Sequence, residues 1–293
     1  MQELRVKTNQ IELQVRDYPG DGDAIIFLHF SSANLMMWER IIPFFQDRYR
    51  VILVDLRGHG KSDRPEASHH IDEMARDIAG MMEHMDVKKA HIIGSSLGAE
   101  VGLSLAANYP DKVISLVCDG ALSSEYGPYG TWEGSEQEFE KDVADTLKQM
   151  REKPVNLYSS VEELVEARGE ILTKYGLWNE HVEAMERYGV YDAGDGKLTH
   201  GMKKNANQSY MEGYFHCRLE DYYRKTSCPL LMITDKENED EAEKAAMRGL
   251  RDLAKQAQIA EIRGWMHPYG WLLDPDEVCR VILDFLSHLP DNK

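Results

Sequence analysis

One short segment of the chain has residue types suited to nucleophilic catalysis, Gly94-Ser95-Ser96-Leu97-Gly98. It follows an apolar β-type run and precedes a helix-forming stretch. A strand-turn-helix junction of this kind forces a sharp turn, in which a side chain at either glycine would collide with its neighbours. The turn exposes the Ser96 hydroxyl at a helix N-terminus, where free N–H groups favour developing negative charge. The pattern predicts that Ser96 is a nucleophile, although a bare match of this kind also occurs in ordinary turns.

The elements around Ser96 alternate between strands and helices. Strands are predicted at residues 4–7, 11–16, 24–29, 50–55, 90–94 and 113–118, and helices at residues 36–46, 71–85 and 97–109. This alternation is typical of parallel strands joined by crossover helices. We expect the first two strands to form an antiparallel hairpin at one edge of the sheet. The predicted fold class is therefore α/β, with a mostly parallel, doubly wound sheet.

The pattern changes between residues 123 and 227. Strand-like runs disappear there, and residues 161–175 and 179–188 have helical periodicity. The α/β alternation resumes with predicted strands at 229–234 and 259–262 and helices at 241–256 and 276–289. The sequence predicts a core of residues 1–122 and 228–293, interrupted by a helical lid of residues 123–227. The aromatic side chains of the lid suggest an apolar pocket, and for each of them packing between the lid helices is left open as an equal alternative. They are Tyr126, Tyr129, Trp132, Trp178, Tyr210, Tyr214 and Phe215.

A second motif lies upstream of Ser96, in the segment Val54-Asp-Leu-Arg-Gly-His-Gly-Lys-Ser-Asp-Arg-Pro65. Together with the Ser96 turn, it resembles the α/β-hydrolase superfamily, in particular the lid-bearing serine hydrolases and esterases. The resemblance extends over nearly the whole chain and implies the α/β-hydrolase fold. In that superfamily the upstream segment is structural, so His59 is interpreted as a packing residue.

The resemblance also implies the groups that would stabilise an oxyanion. His29-Phe30-Ser31 ends the third predicted strand, where the superfamily usually has its oxyanion loop. The backbone N–H groups of Ser31 and Leu97 are therefore expected to form an oxyanion hole. Phe30 replaces the usual glycine, and its effect on the path of the loop is left open. His29 is interpreted as a packed residue, because no partners stand at metal-ligand spacing.

The general base is also assigned from this resemblance. His267 follows the last predicted strand and precedes Asp274-Pro-Asp-Glu-Val278, where the superfamily has its catalytic histidine. His267 is therefore expected to take the proton of Ser96 and to deliver it to the leaving group.

The acid that would orient His267 is left open. Asn238 occupies the usual position of the acid, and an amide cannot stabilise an imidazolium as a carboxylate does. Some branches, including certain haloalkane dehalogenases, have the acid after the sixth strand, where this chain has Asp119. The acidic loop offers three alternatives, Glu237, Glu239 and Asp240, and a site without any acid is left open as well.

Composition excludes several other classes of protein. A formal net charge of −17 argues against binding to nucleic acid, whose phosphates require clustered Lys and Arg. No segment approaches the ~20 apolar residues of a membrane span, and the N-terminus lacks the pattern of a signal peptide. The four cysteines contain no Cys-x-x-Cys pair, so neither a disulfide framework nor a zinc site is indicated. We expect a cytoplasmic protein that needs no metal or cofactor, and its oligomeric state is left open.

The sequence thus predicts a serine hydrolase that cleaves a small carboxylic ester or related acyl compound through an acyl-enzyme. Lactonase, C–C hydrolase and perhydrolase activities would use the same residues. Relatives with an aspartate nucleophile are disfavoured, because this turn presents serine. One alternative is a protein of the same fold that binds a small ligand for signalling, with little or no turnover. A second alternative is an inactive relative that acts only as an oligomerisation or scaffold module.

Overall fold

The computed structural model describes residues 1–66, 68–235 and 241–290. Within these residues the strands are β1 (Gln2–Thr8), β2 (Ile11–Tyr18), β3 (Ala24–Leu28), β4 (Arg50–Val54), β5 (Ala90–Ser95), β6 (Val113–Asp119), β7 (Tyr191–Gly194), β8 (Lys197–Thr199), β9 (Leu230–Asp235) and β10 (Ala257–Ile262). The α-helices are α1 (Ile42–Phe45), α2 (Ile71–His84), α3 (Leu97–Asn108), α4 (Glu136–Glu152), α5 (Val161–Thr173), α6 (Glu180–Tyr188), α7 (Lys204–Phe215), α8 (Leu219–Lys225), α9 (Glu241–Leu253), α10 (Gly270–Leu273) and α11 (Asp276–Ser287). Two 3₁₀-helices cover Leu35–Ile41 and Pro110–Lys112.

One sheet of eight strands organises the molecule, in the order β1-β2-β4-β3-β5-β6-β9-β10. The strands from β4 to β10 in this order are all parallel. At the other edge, β2 pairs antiparallel with both β1 and β4, so the predicted hairpin is present. The predicted fold class is confirmed.

The sheet is covered on both faces, which explains why its central strands are continuously apolar. Successive side chains of a strand point to opposite faces. In β3, Ile26 and Leu28 belong to the apolar core beneath α2 and α3, whereas Ile25 and Phe27 belong to a second core beneath α11. All four side chains are fully buried. The two cores hold the ends of the parallel strands in a rigid row, and residues at these ends can be positioned accurately.

One predicted helix differs in the structure. Residues 36–46 were expected to form a single helix, but the chain forms the 3₁₀-helix Leu35–Ile41 and then the short helix α1. Pro43 lies in the first turn of α1, where its missing N–H is tolerated, whereas a continuous helix would have it in the interior. The side chain of Asn34 caps the 3₁₀-helix by accepting a hydrogen bond from the Met36 N–H.

The segment of residues 123–227 contains α4 to α8, together with a hairpin that the sequence pattern did not predict. Strands β7 and β8 pair antiparallel around a turn in which Asp195 and Gly196 have φ values of 53° and 68°. Two successive positive φ values match a type I′ turn, for which Asp-Gly is a preferred pair. The expectation that strands disappear here was therefore wrong. The Asp-Gly pair was the available signal, but the strands beside it are short and largely polar.

Candidate active site

Ser96 lies in a strained turn between β5 and α3. Its backbone has φ 51° and ψ −119°, a conformation that is costly for any residue with a side chain. The two flanking glycines permit the turn. A Cβ atom at Gly94 would lie 2.2 Å from the Gly98 oxygen, and one at Gly98 would lie 2.0 Å from the Leu28 oxygen. The close approach of strand, turn and helix therefore excludes larger residues at both positions, as the sequence pattern predicts.

Asp119 ends the neighbouring parallel strand β6, beside the Ser96 turn. Ser95 and Asp119 are register partners, and the Ser96 N–H donates to the Asp119 backbone oxygen at 2.6 Å. The Asp119 side chain is 1% exposed. Its Oδ1 atom lies 2.8 Å from Nδ1 of His267, in the loop after β10. The structure thus brings Asp119 to His267, whereas Glu237, Asn238, Glu239 and Asp240 lie outside the described residues.

Three further donors surround the Asp119 carboxylate, and sequence reasoning assigned a role to none of them. Trp265 Nε1 donates to Oδ1 at 2.8 Å, Trp271 Nε1 donates to Oδ2 at 2.6 Å, and Ser95 Oγ donates to Oδ2 at 2.7 Å. The two indole rings meet edge to face, with centroids 5.2 Å apart. Such a set of donors holds a buried carboxylate in one orientation and stabilises its charge.

Electrostatics couples the two groups. Burial raises the pKa of Asp119. The charge of His267 and the hydrogen bonds from His267, Trp265 and Ser95 lower this pKa by more than burial raises it, so the net pKa falls below its usual value. Burial lowers the pKa of His267, but the charge and hydrogen bond of Asp119 outweigh this effect, and the net pKa rises above 6.5. The pair therefore favours a charged imidazolium beside an ionised carboxylate.

Ser96 and His267 face one cavity and flank the same glycine. A Cβ atom built on Gly120 would lie 2.9 Å from Ser96 Cα and 3.1 Å from His267 Cε1. Within the described part of the chain, the Ser96 hydroxyl makes no hydrogen bond. Hydrogen bonds between nucleophile and base are often long without substrate and shorten when it binds. Since Nδ1 of His267 is held by Asp119, its other ring nitrogen remains for proton exchange in the cavity.

The residues of the predicted oxyanion hole are Ser31, which shares a cavity with Ser96, and Leu97, which follows Ser96 in the chain. Ser31 lines the cavity, and Leu97 is the first residue of α3. Among the described residues, no protein acceptor pairs with the N–H of Ser31 or Leu97. Phe30 packs against Tyr269 with ring centroids 5.4 Å apart, and its bulk is therefore accommodated in the wall beside the loop.

The histidines near this loop are packing residues, as expected. His29 is fully buried, and its Nε2 accepts from the Leu56 N–H at 3.0 Å. Its Nδ1 therefore carries the proton and donates to the Phe30 oxygen at 2.8 Å. The His59 ring contacts the His29 ring with centroids 4.8 Å apart. Burial lowers the pKa of both histidines, so they are neutral near pH 7.

Comparison with known proteins agrees with this architecture. Residues 23–161 match a family model described as the alpha/beta hydrolase fold. The crystal structure of E-2-(acetamidomethylene)succinate hydrolase superposes with a TM-score of 0.75, covering 97% of this chain and 98% of the other at 24% identity. The chain is an α/β-hydrolase-fold protein.

Other similar proteins share this fold. A thermophilic esterase from Thermogutta terrifontis superposes with a TM-score of 0.69 at 21% identity, covering 99% of both chains. By sequence, a 2-(acetamidomethylene)succinate hydrolase of Mesorhizobium japonicum is 39% identical over 39% of this chain and 40% of its own length. A 3-oxoadipate enol-lactonase of Acinetobacter baylyi is 32% identical over 40% of this chain and 43% of its own length. The matched region is thus about two-fifths of these curated relatives.

In this α/β-hydrolase fold, a cavity of about 770 Å³ opens at the carboxyl ends of the parallel strands. Segment 123–227 contributes Leu177, Tyr210, Met211, Tyr214 and Leu219 to its walls. For each lid aromatic, lining this pocket and packing between lid helices were open alternatives, and both occur. Tyr126, Trp132 and Phe215 surround Phe139 in a separate apolar cluster. Periodicity cannot distinguish an aromatic residue that packs helices from one that lines a pocket.

Other classes of site are not seen in the described residues. Among them, no group of three or more His, Cys, Asp or Glu side chains is arranged to hold a metal ion. Cys118, Cys217, Cys228 and Cys279 are free thiols. None of the helices in the described part of the chain is long and apolar enough to cross a membrane.

Proposed function

We propose that this protein is a serine hydrolase that cleaves a small carboxylic ester or a related acyl compound. The observation that carries the proposal is the 2.8 Å contact between His267 Nδ1 and the buried Asp119 carboxylate, beside a serine in a strained turn. A nucleophile, a base and a group that orients the base are the three parts of a catalytic triad. We assign these roles to Ser96, His267 and Asp119.

The proposed reaction has two halves. Ser96 Oγ attacks the carbonyl carbon while His267 takes the hydroxyl proton, and the N–H groups of Ser31 and Leu97 stabilise the oxyanion. His267 then gives this proton to the leaving group, and the acyl-enzyme forms as the bond to that group breaks. A water molecule attacks the acyl carbon, His267 takes its proton, and the acid is released as Ser96 regains a proton. Asp119 stabilises the imidazolium in both halves.

The named relatives support a range of acyl and related substrates. They include an enol-lactonase, an esterase, and a hydrolase of 2-hydroxy-6-oxononadienedioate from Comamonas testosteroni. Activated esters are the simplest probe of all these activities, since any of them can transfer its acyl group to a serine nucleophile. Lactone, C–C bond and peracid chemistry would use the same three residues.

We propose that residues 123–227 form a lid over this site. Its helix α7 contributes Tyr210, Met211 and Tyr214 to the cavity that contains Ser96. Ligands of open α/β sheets bind at the carboxyl ends of the strands, the edge on which Ser96 lies. Motion of such a segment would control substrate entry.

Fluorophosphonate labelling tests the proposal. The intact protein should gain one adduct on Ser96, seen by mass spectrometry, and the Ser96→Ala variant should gain none. A series of p-nitrophenyl esters of increasing acyl length should then be hydrolysed with a clear optimum of chain length. A protein that only binds a ligand would label poorly and hydrolyse none of the series, and this result would contradict the proposal.

A further inference from the structure

A second buried carboxylate, which the proposed reaction does not use, lines the cavity that contains Ser96. Glu100 lies one turn after Ser96 on α3 and is 5% exposed. Both of its carboxylate oxygens lie 3.1 Å from the Tyr210 hydroxyl on α7. Glu100 and Tyr210 both line the cavity that contains Ser96. A substrate bound at Ser96 would therefore extend toward these two side chains.

Glu100 has fewer hydrogen-bond partners than other buried carboxylates of the chain. Asp77 forms two hydrogen bonds with Arg57, and Glu186 forms two with Arg168. Asp119 has the four donors described above. In the described part of the chain, Glu100 accepts a hydrogen bond only from the neutral Tyr210 hydroxyl, although a carboxylate has about four acceptor positions. The remaining positions are available to a donor in the cavity.

Among the described residues of the cavity wall, only His267 can carry a positive charge, and Asp119 already pairs with it. Among the described residues that line the cavity, none is Lys or Arg. The titratable groups that interact electrostatically with Glu100 are tyrosine, cysteine and glutamate side chains, none of them cationic: Tyr210, Tyr214, Cys217 and Glu125. Burial, together with the charge of Glu125, raises the pKa of Glu100 to about 8, although the Tyr210 hydrogen bond lowers it. Glu100 is therefore mostly protonated near pH 7 in the ligand-free protein, and a cationic ligand would supply the partner that its ionised form lacks among the described residues.

We infer that Glu100 and Tyr210 bind a protonated amine on the substrate, at the end away from the scissile bond. This inference rests on the proposed function and specifies its substrate class. An ammonium donates up to three hydrogen bonds and supplies the missing charge. Above the pKa of Glu100, about 8, a carboxylate at the same end of the substrate would meet the like charge of Glu100 and is disfavoured.

Binding of three ligands of equal length tests the inference without any turnover. Hexylammonium, 1-hexanol and hexanoate are titrated into the protein by calorimetry near pH 9, where Glu100, with a pKa of about 8, is mostly ionised and hexylammonium is still protonated. Hexylammonium should bind about tenfold more tightly than hexanol, as one charge-assisted hydrogen bond predicts, and hexanoate should bind most weakly. In Glu100→Gln, which keeps the shape and the Tyr210 contact, the preference for hexylammonium over hexanol should fall about tenfold.

Two controls make the result specific. Glu166 is an exposed carboxylate on α5, and Glu166→Gln removes the same charge away from the cavity, so the preference should be unchanged. Near pH 7, where Glu100 is mostly protonated without a ligand, hexylammonium binding should also release a proton from Glu100, because the ammonium favours the ionised carboxylate. This release appears as a dependence of the heat on the ionisation enthalpy of the buffer, and Glu100→Gln should lack it.

Failure of this inference differs from failure of the proposed function. Equal binding of the three ligands, or a preference that persists in Glu100→Gln, would overturn the amine site even if Ser96 labels normally. If Ser96 does not label but hexylammonium binds through Glu100, the hydrolase proposal fails and the amine site stands. If both hold, p-nitrophenyl 6-aminohexanoate should have a higher kcat/KM than p-nitrophenyl heptanoate, and Glu100→Gln should reduce this ratio.

Discussion

His267 Nδ1 lies 2.8 Å from Asp119 Oδ1, although 148 positions of the chain separate the two residues. The contact joins the end of β6 to the loop after β10, two strands away in the sheet. It brings a carboxylate that is 1% exposed to an imidazole whose side chain is 40% exposed to the cavity. The buried end of the pair is fixed by packing, while the exposed end can exchange protons.

Asp119→Asn should lower kcat on an activated ester about 10⁴-fold while changing KM little, because an amide cannot stabilise the imidazolium. Steady-state kinetics on p-nitrophenyl esters measures both parameters. The matched controls are Glu237→Gln, Glu239→Gln and Asp240→Asn, each of which should have a far smaller effect. A loss of more than about 10³-fold in one of these controls, with an active Asp119→Asn, would assign the acid to the loop.

Ser96→Ala and Ser96→Gly should both abolish ester hydrolysis, yet differ in stability. Ala retains a Cβ atom at φ 51°, whereas Gly relieves the strain of this conformation. We expect the free energy of unfolding of Ser96→Gly to exceed that of Ser96→Ala by about 1 kcal/mol, after the entropy of glycine offsets part of the gain. Urea denaturation of the two variants measures this difference. Equal stabilities would show that the turn stores no strain.

The pH dependence of kcat/KM should follow the ionisation of His267. The base must be neutral to accept a proton, so activity should rise with pH through the pKa of His267, which lies above 6.5 because the effect of Asp119 exceeds that of burial. In Asp119→Asn this pKa should move to lower pH, since the charge that favours the imidazolium is gone. NMR titration of the His267 ring gives the same pKa independently of turnover. If the His267 pKa is the same in Asp119→Asn as in the unaltered protein, Asp119 has no electrostatic role.

Gly98→Ala should lower the free energy of unfolding by more than about 2 kcal/mol, because the new Cβ would lie 2.0 Å from the Leu28 backbone oxygen. Gly102→Ala, on the same helix, is the matched control. There the nearest atom is Leu116 Cδ1 at 2.8 Å, the end of a side chain that can move, and Ala favours the helix. Thermal denaturation of both variants should therefore show the larger loss for Gly98→Ala. The reverse order would argue against the close strand-helix packing.

The position of Ser96 and the order of the core elements were predictable from the sequence. Both depend on neighbours along the chain: the glycines beside Ser96 permit the turn, and alternating apolar runs form strands buried on both faces. The predicted ends of helices and strands agree with the observed ends to within a few residues wherever the apolar pattern is continuous. The sequence analysis missed the β7–β8 hairpin and the break before α1. In both places the local structure is determined by one or two residues, the Asp195-Gly196 turn and Pro43, and the apolar periodicity around them is weak.

The partner of His267 and the polar wall of the cavity were decided by tertiary structure alone. Asp119, the acidic loop and a site without an acid were open alternatives in the sequence, since Asp119 and the loop each follow a strand that ends at the same edge of the sheet. Nothing local marks Trp265 and Trp271 as donors to Asp119, or Glu100 as a neighbour of Tyr210. These contacts join residues far apart in the chain, and the packing of the strands and of segment 123–227 determines which side chains meet. Sequence patterns report the local conformation of a residue, whereas hydrogen-bond partners are selected by distances through space.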